Sequence, residues 1–388
     1  MRTLASLILL TSVLSAQTIT IAPAPVDRAA LVAQVKVARC TGDVLSAKDA
    51  AGHEYDLQAD DDDTSTLVLG FVPANQAVTL KVATVASTQP HAVKVGPGED
   101  GLTVSIDGQD VLNFRTDKTK KPRADISDDI LRAGYLHPVR SPSGAIVTGD
   151  YPANHPHHHG VWTPYTKAVF QGRATDFWNM QSKKGEEQWH GGGRLWSGEV
   201  YGGFEAEMHM NDLSSPKPIT ALVDRWSVTA YAVSHTPKAM RVFDLTTTQT
   251  CATNDPLELP EYHYGSFGLR GPDEWNGKEG ARFLTSEGIT DRKKGDGTRA
   301  RWCYLGARPP PASPVPPSWA TPITSVSRCR FASIRTCRTS RSSPRSSAPS
   351  RSSHASLTSP ATASSSPTAN PTPSCSTPAG IRWPIRRW

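Results

Sequence analysis

The chain has 388 residues, with 42 Lys and Arg against 36 Asp and Glu and a formal net charge of +6. That length allows two or three domains, and beyond the first residues no segment carries the run of about 20 apolar residues that a membrane-spanning helix needs. The positive charge does not mark a nucleic-acid surface. After Gly306 there is no Asp, Glu or Lys but there are eleven arginines, and removing these takes +6 to −5 for residues 1–306, a mildly acidic body without the basic face that binds phosphate backbones.

The chain opens like a secretory signal, residues 1–16. Arg2 supplies the positive start, Leu4 to Leu14 a short apolar stretch, and Leu14-Ser15-Ala16 a small-residue cleavage site. The mature protein is therefore expected to be secreted or periplasmic, with no membrane span. Residues 17–95 read as a small N-terminal β-sandwich. Thr18–Ile21, Leu31–Val37, Thr66–Leu69 and Val78–Val85 alternate or are β-branched, with Gly, Asn and Asp turns between them. Asp60 to Asp63 reads as a solvated loop, lacking the spaced oxygen ligands and Gly turn of a calcium site.

A second unit, residues 96–306, is expected to be a large antiparallel sandwich. Leu102–Ile106 and Val111–Phe114 flank Asp107-Gly108, a hairpin signal. Gly144–Thr148, Gly198–Tyr201, Phe204–Met210, Ile219–Val233 and Met240–Thr250 are further strand candidates, and one short helix is expected around Ser127–Ala133. Long connections between strands are where function usually sits. Cys40, Cys251 and Cys303 lack metal-ligand spacing; Cys251 and Cys303 can be a disulfide or two buried thiols.

Residues 307–388 are dominated by Pro, Ser, Thr, Ala and Arg. The composition reads as a disordered tail, and a shifted reading frame explains it better. Moving the frame by one base lets Trp319 to Thr336 encode Leu-Gly-His-Pro-Asp-Asn-Phe-Arg-Phe-Pro-Leu-Pro-Val-Arg-Ile-His-Pro-Asn, a string of ordinary globular character. The expectation is an out-of-frame tail that leaves the second unit incomplete.

The chemistry concentrates in His155-Pro156-His157-His158-His159-Gly160, which holds four of the twelve histidines, with His137 just upstream. Imidazole binds metals and moves protons near neutral pH. On an extended segment His157 and His159 share one side and His158 the other, so two or three imidazoles can meet one ion or substrate. Asp176-Phe177-Trp178-Asn179 offers an acid, an amide and aromatics, as a sugar ring needs, or else a core anchor. In Glu261-Tyr262-His263-Tyr264-Gly265, alternation puts Glu261 beside His263, where a carboxylate can orient an imidazole. Arg140 and Arg270 lie in flanking loops and are candidate substrate contacts. His190, His209 and His235 stand alone in the sequence and read as structural or exposed.

These strings, with Tyr135–Gly144, Gln249–Cys251, Leu259–Gly265 and Phe283–Glu287, resemble the exported bacterial proteins that carry the label "methane oxygenase PmoA". The resemblance spans roughly Val95 to Gly306. It implies a β-supersandwich similar to the galactose-mutarotase group, whose members bind sugars on a concave sheet and use His with Glu or Asp as acid and base.

The resulting expectation is an exported carbohydrate-active protein, of the epimerase, lyase or hydrolase kind. His157, His159, His263 and Glu261 are the acid–base candidates; His137, Arg140, Asp176, Trp178, Asn179 and Arg270 are the substrate-binding candidates. A non-catalytic carbohydrate-binding module is the alternative. A copper or iron oxygenase is the third reading, with His157, His159 and His263 as ligands to a divalent transition metal. The expected partner is a carbohydrate or other small molecule.

Overall fold

The computed structural model describes residues 17–37, 44–60, 64–85, 92–262, 265, 267–300 and 302–307. The signal-like residues 1–16, Cys40, Asp61 to Asp63, His263 and the tail from residue 308 lie outside the described residues.

Six strands come first: β1 (Thr18–Ile21), β2 (Arg28–Val35), β3 (Val44–Lys48), β4 (Glu54–Ala59), β5 (Ser65–Val72) and β6 (Val78–Val85). They form an antiparallel sheet in the order β1-β6-β3-β4-β5-β2. β4 joins its halves, pairing with β3 through Glu54–Leu57 and with β5 through Gln58 and Ala59. Alternate side chains of both halves, among them Ile19, Leu45, Tyr55, Leu57, Leu69 and Leu80, enclose one core. The opposite face of β5 is covered too. A Cβ on Gly70 would lie 2.0 Å from the Ser234 carbonyl oxygen, so only glycine lets the two units approach there.

The second unit holds β7 (Val93–Pro97), β8 (Gly101–Ile106), β9 (Gln109–Arg115), β10 (Tyr135–Val139), β11 (Val161–Trp162), β12 (Ala168–Phe170) and β13 (Arg173–Thr175). The long strands β14 (Gly185–Trp196), β15 (Tyr201–Asp212), β16 (Ile219–Tyr231) and β17 (Val242–Cys251) follow. Short strands β18 (Leu257–Glu258), β19 (Gly268–Leu269), β20 (Ala281–Thr285) and β21 (Cys303–Ala307) complete the described part. β19-β11-β10-β9-β8-β7 make one sheet and β14-β15-β16-β17 another, while β13-β12-β18 and β20-β21 are smaller.

The two large sheets face each other across the main core. Phe114 of one sheet meets Phe204 and Trp226 of the other at ring-centroid distances of 5.4 and 5.3 Å, and all three are buried. Each such side chain contributes roughly 1.5–3 kcal/mol by burial. The fold is therefore almost wholly antiparallel β, as alternation and turn chemistry predict. Asp107 and Gly108 take φ of 52° and 75°, the paired left-handed turn that closes the β8–β9 hairpin.

Four expectations need correction. β7 pairs with β8, so the second unit begins by Val93, before the expected boundary at 95. Gly144–Thr148 is a turn with a single bridge, Arg140 to Ile146, because Ser141 and Ala145 bond back on each other. The helix around Ser127 is one 3-10 turn, Asp128–Ile130. Cys251 is disulfide-bonded, and Cys303 is not its partner, since Cys303 Sγ–H donates to the Tyr304 carbonyl at 3.7 Å.

Candidate functional site

The His155–His159 segment is wound, not extended. The His155 amide donates to the Pro152 carbonyl and the His158 amide to the His155 carbonyl, both at 2.9 Å. The Tyr151 amide closes the loop on the His158 carbonyl at 3.1 Å. Winding replaces the expected alternation, so His157 and His159 do not share a side. His155, His157 and His158 pack on one another, with centroid separations of 4.8 to 5.9 Å.

Two tryptophans form the floor of this group. Trp178 lies 6.0 Å from His157 and 5.7 Å from His158, and Trp162 lies 5.7 Å from His158. Trp178 Nε1–H donates to the His157 carbonyl at 3.1 Å. Both indoles are buried, so the accessible surface is imidazole. Trp178 thus supports the loop instead of presenting a face to a ligand, which corrects its expected role.

His159 turns the other way and is 1% exposed. Its Nδ1 meets Asp150 Oδ1 at 2.9 Å, and the Tyr135 hydroxyl donates to Asp150 Oδ2 at 3.0 Å. Tyr135 and Tyr151 enclose the imidazole at 4.6 and 4.5 Å. Burial pushes His159 down to about 4, outweighing the nearby Asp150 carboxylate. At neutral pH the contact is therefore a hydrogen bond from a neutral Nδ1–H, not an ion pair. Burial also lowers His137 and His157, and pushes His158 down to about 3 with help from neighbouring imidazoles and Arg270. His157 and His158 are therefore neutral bases at neutral pH.

Beneath it lies a second polar group that the sequence reading missed. The Arg132 guanidinium pairs with Glu187 in full burial, and its Nη1 donates to the Phe177 carbonyl at 2.8 Å. The Tyr151 hydroxyl accepts from the Arg132 amide at 3.0 Å. Asp224, also buried, accepts from Thr163 Oγ1 at 2.7 Å and Trp226 Nε1 at 3.1 Å. Arg132 therefore ties the segments carrying Tyr151, Thr163 and Trp178 into one frame. Among the described residues Arg132 pairs with Glu187 alone, and burial pushes Glu187 up to about 8 despite Arg132, with the nearby Asp224 adding to the rise. Gly134, at φ +79°, abuts this group: a Cβ there would lie 2.4 Å from Glu187 Oε1 and 2.9 Å from Met208 Cε. We expect Gly134→Ala to cost about 1–3 kcal/mol, read from the urea midpoint, through strained φ and the lost approach.

The other expected site residues divide. His137 joins the region, its Nδ1 at 2.9 Å from Thr148 Oγ1. Arg270 reaches Asn154 Oδ1 at 3.3 Å and Asn276 Oδ1 at 2.8 Å, beside His158. Asp176 is spent on its own loop: Oδ1 accepts from the Trp178 and Asn179 amides and Oδ2 from Asn179 Nδ2. Asp176 and Asn179 thus hold the turn that seats Trp178. Arg140 donates to the Gly144 carbonyl at 3.2 Å and shapes a turn. Glu261 is exposed, and its expected partner His263 lies outside the described residues. Tyr135 and Arg132 carried no local signal, because folding brings them to the loop from other segments, and Asp150, nine residues before His159, meets it only through closure of the loop.

A family of unknown function (DUF6807) matches residues 101–314, more than half of the chain. The chain belongs to the DUF6807 family. The match covers the imidazole cluster, the Asp150–His159 pair and the Arg132–Glu187–Asp224 group, so all three lie within the DUF6807 region. Neither the curated proteins nor the solved structures give a match.

Metal-type ligands do not converge where the motif suggested. Among the described residues, the group of three whose ligand atoms lie within 4.8 Å of one another is His190, Glu207 and His209, on β14 and β15. Of the expected ligands, His157 and His159 do not converge: His157 faces His155, His158 and Trp178, while His159 faces Tyr135, Tyr151 and Trp162; His263 lies outside the described residues. His235 does not stand alone either, lying 4.8 Å from His53.

Proposed function

We propose that this is an exported carbohydrate-active protein whose ligand contacts His155, His157 and His158, with His157 and His158 acting as bases. One observation carries the reading: three accessible imidazoles pack together on a tryptophan floor, and burial lowers the pKa of two of them, His157 and His158. A neutral imidazole accepts a proton through one nitrogen and donates through the other, which suits the removal and return of a proton on a sugar. Arg270 and Asn154 supply hydrogen-bonding groups at the rim. His159 is a positioning residue that fixes Asp150 and Tyr135 beneath the loop. The resemblance to PmoA-labelled proteins and to the mutarotase-like supersandwich group supports sugar as the ligand class, and the signal-like start supports export. No helix among the described residues is long and apolar enough to cross a membrane.

The test is saccharide binding and solvent-deuterium incorporation, measured with a panel of mono- and disaccharides. The full chain is compared with the His157→Ala/His158→Ala double variant. We expect binding, with deuterium incorporated only by the unaltered chain. Because the base pKa values are lowered, the unprotonated form persists into acid, so the acid limb of the rate should fall below the ordinary imidazole range of about 6.5. Binding without exchange in either protein would identify a non-catalytic module. No saturable binding by any saccharide would overturn the carbohydrate reading.

A further inference from the structure

We propose that His190, Glu207 and His209 form a binding site for a divalent transition metal of the zinc class, separate from the His155–His159 loop. The site is built by register. In the β14–β15 ladder, Gln188 faces His209 and Trp189 faces Met208, and then the register shifts so that Gly191 faces Glu207. His190 is the extra residue of that bulge, and bulges re-aim side chains in this way. Its ring stacks on His209 with centroids 3.7 Å apart and planes 13° apart.

Glu207 and His209 are two apart on β15 and so share a face. Phe204, Ala206 and Met208 point into the main core, leaving Glu207 and His209 on the outer face, with His190 exposed beside them. His209 Nε2 lies 2.9 Å from Glu207 Oε1, while Glu207 Oε2 is held by Arg225 Nε at 2.8 Å. Arg225 thus orients the carboxylate and leaves Oε1 toward the imidazoles, the arrangement by which an outer group positions a ligand oxygen.

Two imidazole nitrogens and one carboxylate oxygen suit zinc, copper or nickel far better than calcium or magnesium. Zinc bonds of about 2.0–2.2 Å place ligand atoms roughly 3.3 Å apart, so the present spacing, within 4.8 Å, closes by small side-chain rotations. Three protein ligands leave a fourth position for water or a small molecule. Gly191 favours access, since a Cβ there would meet nothing within 4 Å.

The test is calorimetric titration of Zn²⁺ into the full chain carrying His157→Ala/His158→Ala, a background that removes competition from the loop. We expect one zinc per chain. Adding His190→Ala, Glu207→Gln or His209→Ala should each weaken binding at least about tenfold, the effect seen even for groups that only orient ligands. Cobalt(II) should give visible ligand-field bands that the His209→Ala variant lacks. His190 is exposed, so its variant should melt like the parent and separates lost ligation from lost folding. No saturable zinc binding in the background protein, or binding that survives both histidine substitutions, would overturn the proposal. Neither outcome bears on the sugar reading, whose residues lie elsewhere.

Discussion

Arg132→Met should destabilise the protein by about 3 kcal/mol, because the buried Glu187 carboxyl and the Phe177 carbonyl each lose a donor at about 1–3 kcal/mol apiece. Arg132 is 1% exposed and Glu187 is likewise buried, so no water replaces the lost guanidinium. The substitution also releases the Phe177 carbonyl and loosens the frame behind Trp178. Adding Glu187→Met should recover part of the loss, because the buried carboxyl left without a partner disappears with it. Urea midpoints of the two single variants and the double variant form the cycle that measures this coupling. Additive losses would show that Arg132 and Glu187 do not act as a pair. The same group predicts a pH dependence that runs from about 4.5 to about 8. Glu187 is raised from 4.5 to about 8, so its protonated form is favoured by folding. That stability is present at low pH and is lost as the pH rises through about 8. Glu187→Gln should flatten the fall.

Acid should weaken the fold through His159. Its pKa is lowered from 6.5 to about 4, so the unfolded chain takes up the proton first. Stability is complete above about 6.5 and falls as the pH drops toward 4. The gap corresponds to on the order of 3 kcal/mol. His137, His157 and His158 are lowered as well and act in the same direction, His157 and His158 less strongly because solvent reaches them. His159→Gln keeps a donor for Asp150 and removes the titration. Lowering the pH from 7 to 4.5 should shift the urea midpoint less unfavourably in this variant than in the parent, since the opposite contribution of Glu187 is common to both. Equal acid losses would mean that His159 is protonated, and so more hydrated, in the folded state.

The strand class was legible because alternation is a local signal. β1, β6, β8 and β9 read directly from Val, Ile, Leu and Thr spaced two apart, and Asp107-Gly108 announced its turn. β14 was missed because Glu186-Glu187-Gln188 and Gly191-Gly192-Gly193 hide its period behind charge and glycine. Gly144–Thr148 misled for the opposite reason: its β-branched residues suggested a strand, but Ser141 and Ala145 close a turn. At the candidate site, the histidine run marked a single loop, while its internal geometry did not follow from sequence. Turns at Pro152 and His155 override the alternation that an extended segment would have. Asp176 looked available to a ligand, yet short polar side chains often bond to their own loop first. Asp150 and His159, Arg132 and Glu187, and His190 and His209 depend on β-register or loop closure, which no local pattern encodes.

The most direct test of the ligand site is an NMR titration of the full chain with the saccharide panel, following imidazole and indole side-chain signals. The account predicts saturable shifts at His155, His157 and His158, smaller ones at the Trp162 and Trp178 indoles beneath them, and none at His190 or His209. Saturable shifts confined to any other surface, or none with any saccharide, would contradict it.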